Sequence, residues 1–151
     1  MGYLEDNYNK IFKKYNNDDL IKDWNNFKKG NGNLYKFLNH FFEELIFESC
    51  GKKTKISPMD VLKDNDKINE IFEYIKTKPN FYKGSDISNL KSYFRNAVGW
   101  VRKVANFPAK TARSIYNRYK DNFDIQQLNI LDTSCGFGSR MSATLVDDNN
   151  Y

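Results

Sequence analysis

Cysteine and histidine are nearly absent from this chain: Cys50 and Cys135 are the two cysteines and His40 the one histidine. The cysteines stand far apart, with no CxxC pair and no histidines beside them, which excludes a disulfide framework and a zinc site and points to a reducing compartment. His40, followed by Phe41 and Phe42, is a lone imidazole among aromatics and is assigned no catalytic role. Long apolar runs are missing too, none approaching the roughly 20 residues of a membrane span. The opening Met1-Gly2-Tyr3-Leu4-Glu5-Asp6 has neither the basic and apolar regions of a secretory leader nor the Ser/Thr of a myristoylation signal. These absences together predict a soluble, cytoplasmic protein with no membrane partner and no bound metal. Proline occurs only at Pro58, Pro79 and Pro108, never as an adjacent pair.

What is present suits one folded domain. In 151 residues, 40% hydrophobic and 16% aromatic content supplies apolar surface for a core. The mean hydropathy is negative because Asn and Lys abound beside Phe and Tyr, a mixture unlike the aromatic-poor composition of disordered chains.

Helical spacing dominates as far as Lys120. Tyr3, Leu4, Tyr8, Ile11, Phe12 and Tyr15 fall on one face, and Asp18 or Asp19 can cap a second helix carrying Leu20, Ile21, Trp24 and Phe27. Gly30-Asn31-Gly32-Asn33 breaks the pattern. The stretch Leu34 to Ser49 is apolar beyond a single stripe and is predicted to be the central core helix, with Phe37, Phe41, Leu45, Phe72 and Phe94 forming the main packing. Gly51 to Lys55 reads as an exposed basic loop. Ser57-Pro58 reads as a helix start, with serine as cap and proline in the first turn. Further helices are predicted from Asp66 to Lys76, from Ile87 to Trp100 and from Pro108 to Lys120, with Val98 to Val104 a strand alternative.

Charge is distributed unevenly. No acid occurs between Asp86 and Asp121, whereas Lys91, Arg95, Arg102, Lys103, Lys110, Arg113, Arg118 and Lys120 all lie there, leaving the remainder of a chain of net charge +5 acidic. A block of one sign interleaved with Tyr93, Trp100, Tyr116 and Tyr119 is the pattern of phosphate contact with aromatics available for stacking. A solvated helical face is the plainer alternative. The candidate nucleic-acid-binding residues are Lys91, Arg95, Arg102, Lys103, Lys110, Arg113 and Arg118.

The last part of the chain has a different pattern. An apolar run, Leu128-Asn129-Ile130-Leu131-Asp132, leads into Thr133-Ser134-Cys135-Gly136-Phe137-Gly138 and then a helix-compatible stretch from Ser139 to Val146. A strand, a glycine turn and a helix start form the arrangement in which backbone N–H groups approach a ligand. By itself Gly-x-Gly also fits an ordinary turn, with Asp132 bonding nearby N–H groups.

The segment from Asn129 to Met141 resembles the glycine-rich S-adenosylmethionine motif of phage-type, adenine-specific DNA methyltransferases, in which an apolar strand leads into Asp-Pro-x-x-Gly-Phe/Trp-x-x-Arg-Leu/Met. Asn106-Phe107-Pro108-Ala109-Lys110, followed by Ala112, Ile115 and Tyr116-Asn117-Arg118-Tyr119, is similar to the segment preceding that motif, so the likeness covers Val104 to Leu145. It implies that Asp132 lies near the amino-acid end of S-adenosylmethionine, that Gly136 and Gly138 pass beneath it, and that Phe107 contacts it. Thr133 stands where the family has proline. The Asp/Asn-Pro-Pro-Tyr/Phe motif that grips a flipped base is absent, as is the next strand with its ribose-binding acid; without such a grip a base cannot be held for methylation.

Helical spacing predicts a mainly α fold with a helical domain over residues 1–120, and the resemblance implies that 121–151 is the truncated start of a Rossmann-like methyltransferase domain with one vestigial strand and a short terminal helix. No activity is expected of the chain alone. Its expected function is binding of DNA or a nucleoprotein complex, in one version as a phage or mobile-element inhibitor of a host defence complex such as a CRISPR effector. A fragment or split subunit of a methyltransferase and a purely structural helical domain are the alternatives. The unpaired strand at 128–132 is expected to seek a homodimer or a partner protein.

Overall fold

The computed structural model describes residues 2–50, 55–78, 84–96, 106–134 and 136–151. Eight helices occur among them: α1 (Tyr3–Ile11), α2 (Asn17–Lys28), α3 (Tyr35–Glu48), α4 (Pro58–Lys63), α5 (Asn65–Lys76), α6 (Asp86–Asn96), α7 (Ala109–Phe123) and α8 (Ser139–Leu145). The fold is mainly α, as the helical spacing predicts, and no helix among the described residues is long and apolar enough to cross a membrane. The chain divides into two compact units, one of Met1–Lys13 and Glu43–Ala105, the other of Lys14–Phe42 and Asn106–Tyr151. This division by contacts runs differently from a boundary at residue 120.

The first unit is organised by apolar packing. Ile11 and Phe12 at the end of α1 meet Phe47 of α3, Met59, Val61 and Leu62 of α4, Ile68, Ile71 and Ile75 of α5, and Leu90 and Phe94 of α6. Its short helices depend on caps. The Ser57 hydroxyl accepts from the Asp60 N–H while the Asp60 carboxylate accepts from the Ser57 N–H, and Pro58 occupies the first turn, as the Ser-Pro start predicts. Asp64 ends α4 and starts α5, accepting from the N–H groups of Asp66 and Lys67.

In the second unit α2 is capped by Asn16, whose side chain accepts from the Asp19 N–H. The cap therefore lies two or three residues before the expected aspartates, because the neutral carboxamide already satisfies that donor. Leu34 precedes α3 with φ of 57° yet is fully buried, beside Phe27, Ala109 and Val146. A branched-chain residue in the left-handed region is strained, and here burial of its side chain offsets that cost. The imidazole Nδ1 of His40 accepts from the Tyr15 N–H at 3.0 Å, a structural role.

Two expectations require correction. α3 is not a uniformly buried core helix: Phe41 and Leu45 are about half exposed and Phe37 is partly buried, whereas Glu43, Ile46 and Phe47 are the buried positions. Its apolar surplus widens the stripe beyond what its neighbours cover. Residues 128–132 form no strand; a single parallel bridge joins Asn129 to Asn150. The Asn150 N–H donates to Leu128 O at 2.9 Å and the Ile130 N–H donates to Asn150 O at 3.0 Å, so these backbone groups find partners within the chain. Leu131 points outward and is 91% exposed. The basic loop at 51–54, the turn at 79–83 and the strand alternative at 98–104 lie outside the described residues.

Candidate functional site

Two places in the second unit bring predicted site residues together. The first is the glycine loop before α8. Gly138 caps that helix with φ of 72°, and its carbonyl accepts from the Ser142 N–H. A Cβ there would sit 2.7 Å from the ring of Phe42, so glycine is required by both conformation and space. Gly136 is also left-handed, at φ of 59°, but is exposed. Cys135, just before Gly136, lies outside the described residues.

Asp132 is enclosed by donors from its own unit. One carboxylate oxygen accepts from Arg140 Nη2 at 3.1 Å and from the Ser134 N–H at 3.0 Å. The other accepts from Arg140 Nε at 2.6 Å and from the Tyr151 hydroxyl at 2.9 Å. The Arg140 guanidinium chiefly, with help from the Ser134 N–H and the Tyr151 hydroxyl, holds the carboxyl down to about 2. A carboxylate offers about four acceptor positions, and all are taken. Phe107, 38% exposed, has the Arg140 guanidinium 5.8 Å from its ring centroid.

In this arrangement the acceptor positions of Asp132 are engaged within its own unit, and Phe42 lies where a Cβ on Gly138 would stand. What the loop does is fasten α8 to the 128–132 segment, through charge-assisted bonds of a bidentate Arg–carboxylate pair.

The second place is a groove of about 340 Å³ between the end of α2 and α7, lined by Phe27, Lys28, Lys29, Gly30, Gly32, Lys110, Arg113, Ser114 and Asn117. Its floor is organised by Arg113. That side chain forks onto Asp147, with Nε to Oδ2 at 2.7 Å and Nη2 to Oδ1 at 2.5 Å, and donates to the carbonyls of Phe27 and Lys28. Those carbonyls belong to the last turn of α2, where a cation also opposes the helix dipole. Lys110, Lys28 and Lys29 surround it and are exposed. Lys28 faces Asp148 at 3.8 Å, with both side chains more than half exposed, a pairing worth little.

The seven predicted basic residues separate accordingly. Arg113 is an internal brace, and Lys91 is likewise committed, pairing at 3.1 Å with Glu43 in the first unit, where the carboxylate is buried. Both are engaged with acids of their own unit, and Lys91, which neutralises the buried Glu43, cannot leave it cheaply. Arg102 and Lys103 lie outside the described residues. Arg95, Lys110 and Arg118 are exposed and make no ion pair among the described residues. Lys28 and Lys29 escaped the sequence reading because the groove joins them to Lys110 across a long stretch of chain; a pair of lysines before a glycine break was the one available signal. A second hollow of about 290 Å³ in the first unit is lined by Glu73 and Asp86 against Lys76, with Asn69 and Phe72, and lacks this basic bias. Comparison of the chain with protein-family models, curated proteins and solved structures gives no match.

Proposed function

We propose that this chain is a nucleic-acid-binding protein, related to adenine-specific DNA methyltransferases through its glycine-loop motif, that holds backbone phosphate in the α2/α7 groove and does not itself transfer methyl groups. One observation carries the reading: Lys28, Lys29 and Lys110 converge on a groove that no carboxylate lines, while the one arginine beneath them is already neutralised. Lysines held this way gain by displacing counterions from phosphate, an interaction indifferent to sequence and weakened by salt. No methyl transfer is proposed for residues 1–151 alone, which contain no Asp/Asn-Pro-Pro-Tyr/Phe sequence with which to grip a base.

The test is the anisotropy of a labelled short DNA duplex titrated with the full chain at several salt concentrations between about 50 and 200 mM. Lys29→Gln/Lys110→Gln should flatten the plot of log affinity against log salt by about 1.8, the value for two phosphates on B-DNA. No binding of the duplex or of a single strand of equal length at the lowest salt, or an unchanged slope in the variant, refutes the reading. For the catalytic half, transfer of a labelled methyl group from S-adenosylmethionine to duplex DNA should stay at background; transfer that Asp132→Ala abolishes would overturn it.

A further inference from the structure

α7 exposes a face that the groove does not use. Along a helix, residues four apart stack on one ridge. Ile115, Tyr119 and Phe123 form such a ridge and are 53%, 51% and 60% exposed. The neighbouring ridge, Lys110, Ser114, Arg118 and Asn122, is polar, and its two cations are exposed. At 1.5 Å per residue these cations stand about 12 Å apart along the axis. Asp121 and Asp124 follow close behind, so the positive line ends at Arg118.

The two rings are arranged as a platform. Tyr119 and Phe123 have centroids 4.6 Å apart and planes 36° from one another, a tilted stack in which each ring retains an open surface. The core-facing positions of this helix are Ala109 and Ala112, so the large aromatics stand outside while small residues pack. A ridge of flat π-surfaces running beside a line of phosphate-binding cations matches a ligand that offers both open base faces and a charged backbone. Duplex DNA hides its base faces in its own stack; a single strand exposes them.

We propose that the nucleic acid bound by this chain is single-stranded, with bases stacked on Tyr119 and Phe123 while Lys110 and Arg118 hold the adjoining phosphates. This rests on the nucleic-acid reading above and adds the ligand's strandedness and the aromatic platform that selects it. A helical or acidic peptide is the competing occupant of an apolar ridge flanked by cations.

The experiment compares a labelled single-stranded oligothymidine with a duplex of equal length, using the full chain. Wild type should prefer the single strand. Tyr119→Ala and Phe123→Ala should each weaken single-strand binding about tenfold, the loss expected for one stacked base. The salt slope should hold, because no phosphate contact is removed. Tyr119→Trp, which retains a stacking face, should restore affinity, and circular dichroism should show unchanged helix in every variant, the side chains being exposed. Lys110→Gln/Arg118→Gln should instead flatten the single-strand slope by about 1.4. Equal affinity for duplex and single strand, or alanine variants that bind oligothymidine as wild type does, would overturn the aromatic platform and leave the groove reading standing. Binding to neither nucleic acid at low salt would overturn both and turn the ridge over to a protein partner.

Discussion

The two units of this protein are stabilised by different physics. In the first, an apolar cluster draws on every helix of the unit, from Ile11 and Phe12 through Phe47, Ile68 and Ile71 to Phe94, with Asp60 and Asp64 capping helices and one buried ion pair, Lys91 to Glu43, joining α6 to α3. In the second, the buried apolar cluster among the described residues is Phe27, Leu34, Ala109 and Val146, supplemented by Trp24, Phe37 and Leu38. There the joints between elements are ionic: Arg113 to Asp147 and two α2 carbonyls, and Arg140 to Asp132. Apolar packing contains no titrating group, whereas carboxylate-centred joints do and are lost when the acid is protonated.

The comparison breaks most visibly at Phe94. Its ring is fully buried against Phe47 and Tyr93, and Phe94→Ala should cost about 3–5 kcal/mol in chemical denaturation. A cost below about 1 kcal/mol would show that the cluster relaxes and is not the first unit's main support. Next comes Gly138→Ala, which combines a positive φ with a methyl forced against Phe42; about 1–3 kcal/mol is expected, the range for overpacking. Amide chemical shifts should move around α8 and Phe42 and stay fixed around Phe94; uniform shifts would erase the distinction between the units.

Acid should reveal the ionic joint. The Asp132 carboxyl titrates near 2, below the ordinary value of about 3.9, so its contribution is complete above pH 4 and disappears as pH falls through 2. Hydrogen exchange at Ser134 and along α8 should accelerate over that interval. Asp60, lowered by its bonds with Ser57, and Asp64, lowered first by the Lys67 ammonium and then by its cap bonds, release only helix ends there, while the first unit's apolar cluster persists. Arg140→Met should abolish the acid step at α8; a step that survives the substitution assigns it to another carboxylate. The smallest stability effect is expected at the binding surface itself. Lys110→Gln and Arg118→Gln should each change unfolding free energy by less than about 0.5 kcal/mol while altering the salt dependence of binding. A larger loss would make these cations structural, like Arg113.

Much of the fold was legible because its signals are local. Ser57-Pro58 start a helix wherever they stand, and Ile68, Ile71 and Ile75 mark one face of α5 by spacing alone. The strand expected at 128–132 failed for a nonlocal reason: an apolar run becomes a strand only if a neighbour pairs along its length, and here Asn150 pairs at one position. The basic block was visible as a count of charges, but its division into braces and free cations was not. Asp147 lies 34 residues from Arg113, and Glu43 lies 48 from Lys91.

By itself, then, the sequence determined where helices begin, which faces are apolar, and that cations crowd one interval, since propensity, periodicity and net charge are properties of neighbouring residues. Only the tertiary structure decided that Asp132 is saturated by Arg140 and Tyr151, that Lys28 and Lys29 stand beside Lys110, and that Tyr119 and Phe123 remain outside. Each of those outcomes depends on which groups, distant along the chain, arrive first to fill a lone pair, a groove or a ring face, and short-range sequence pattern carries no record of that competition.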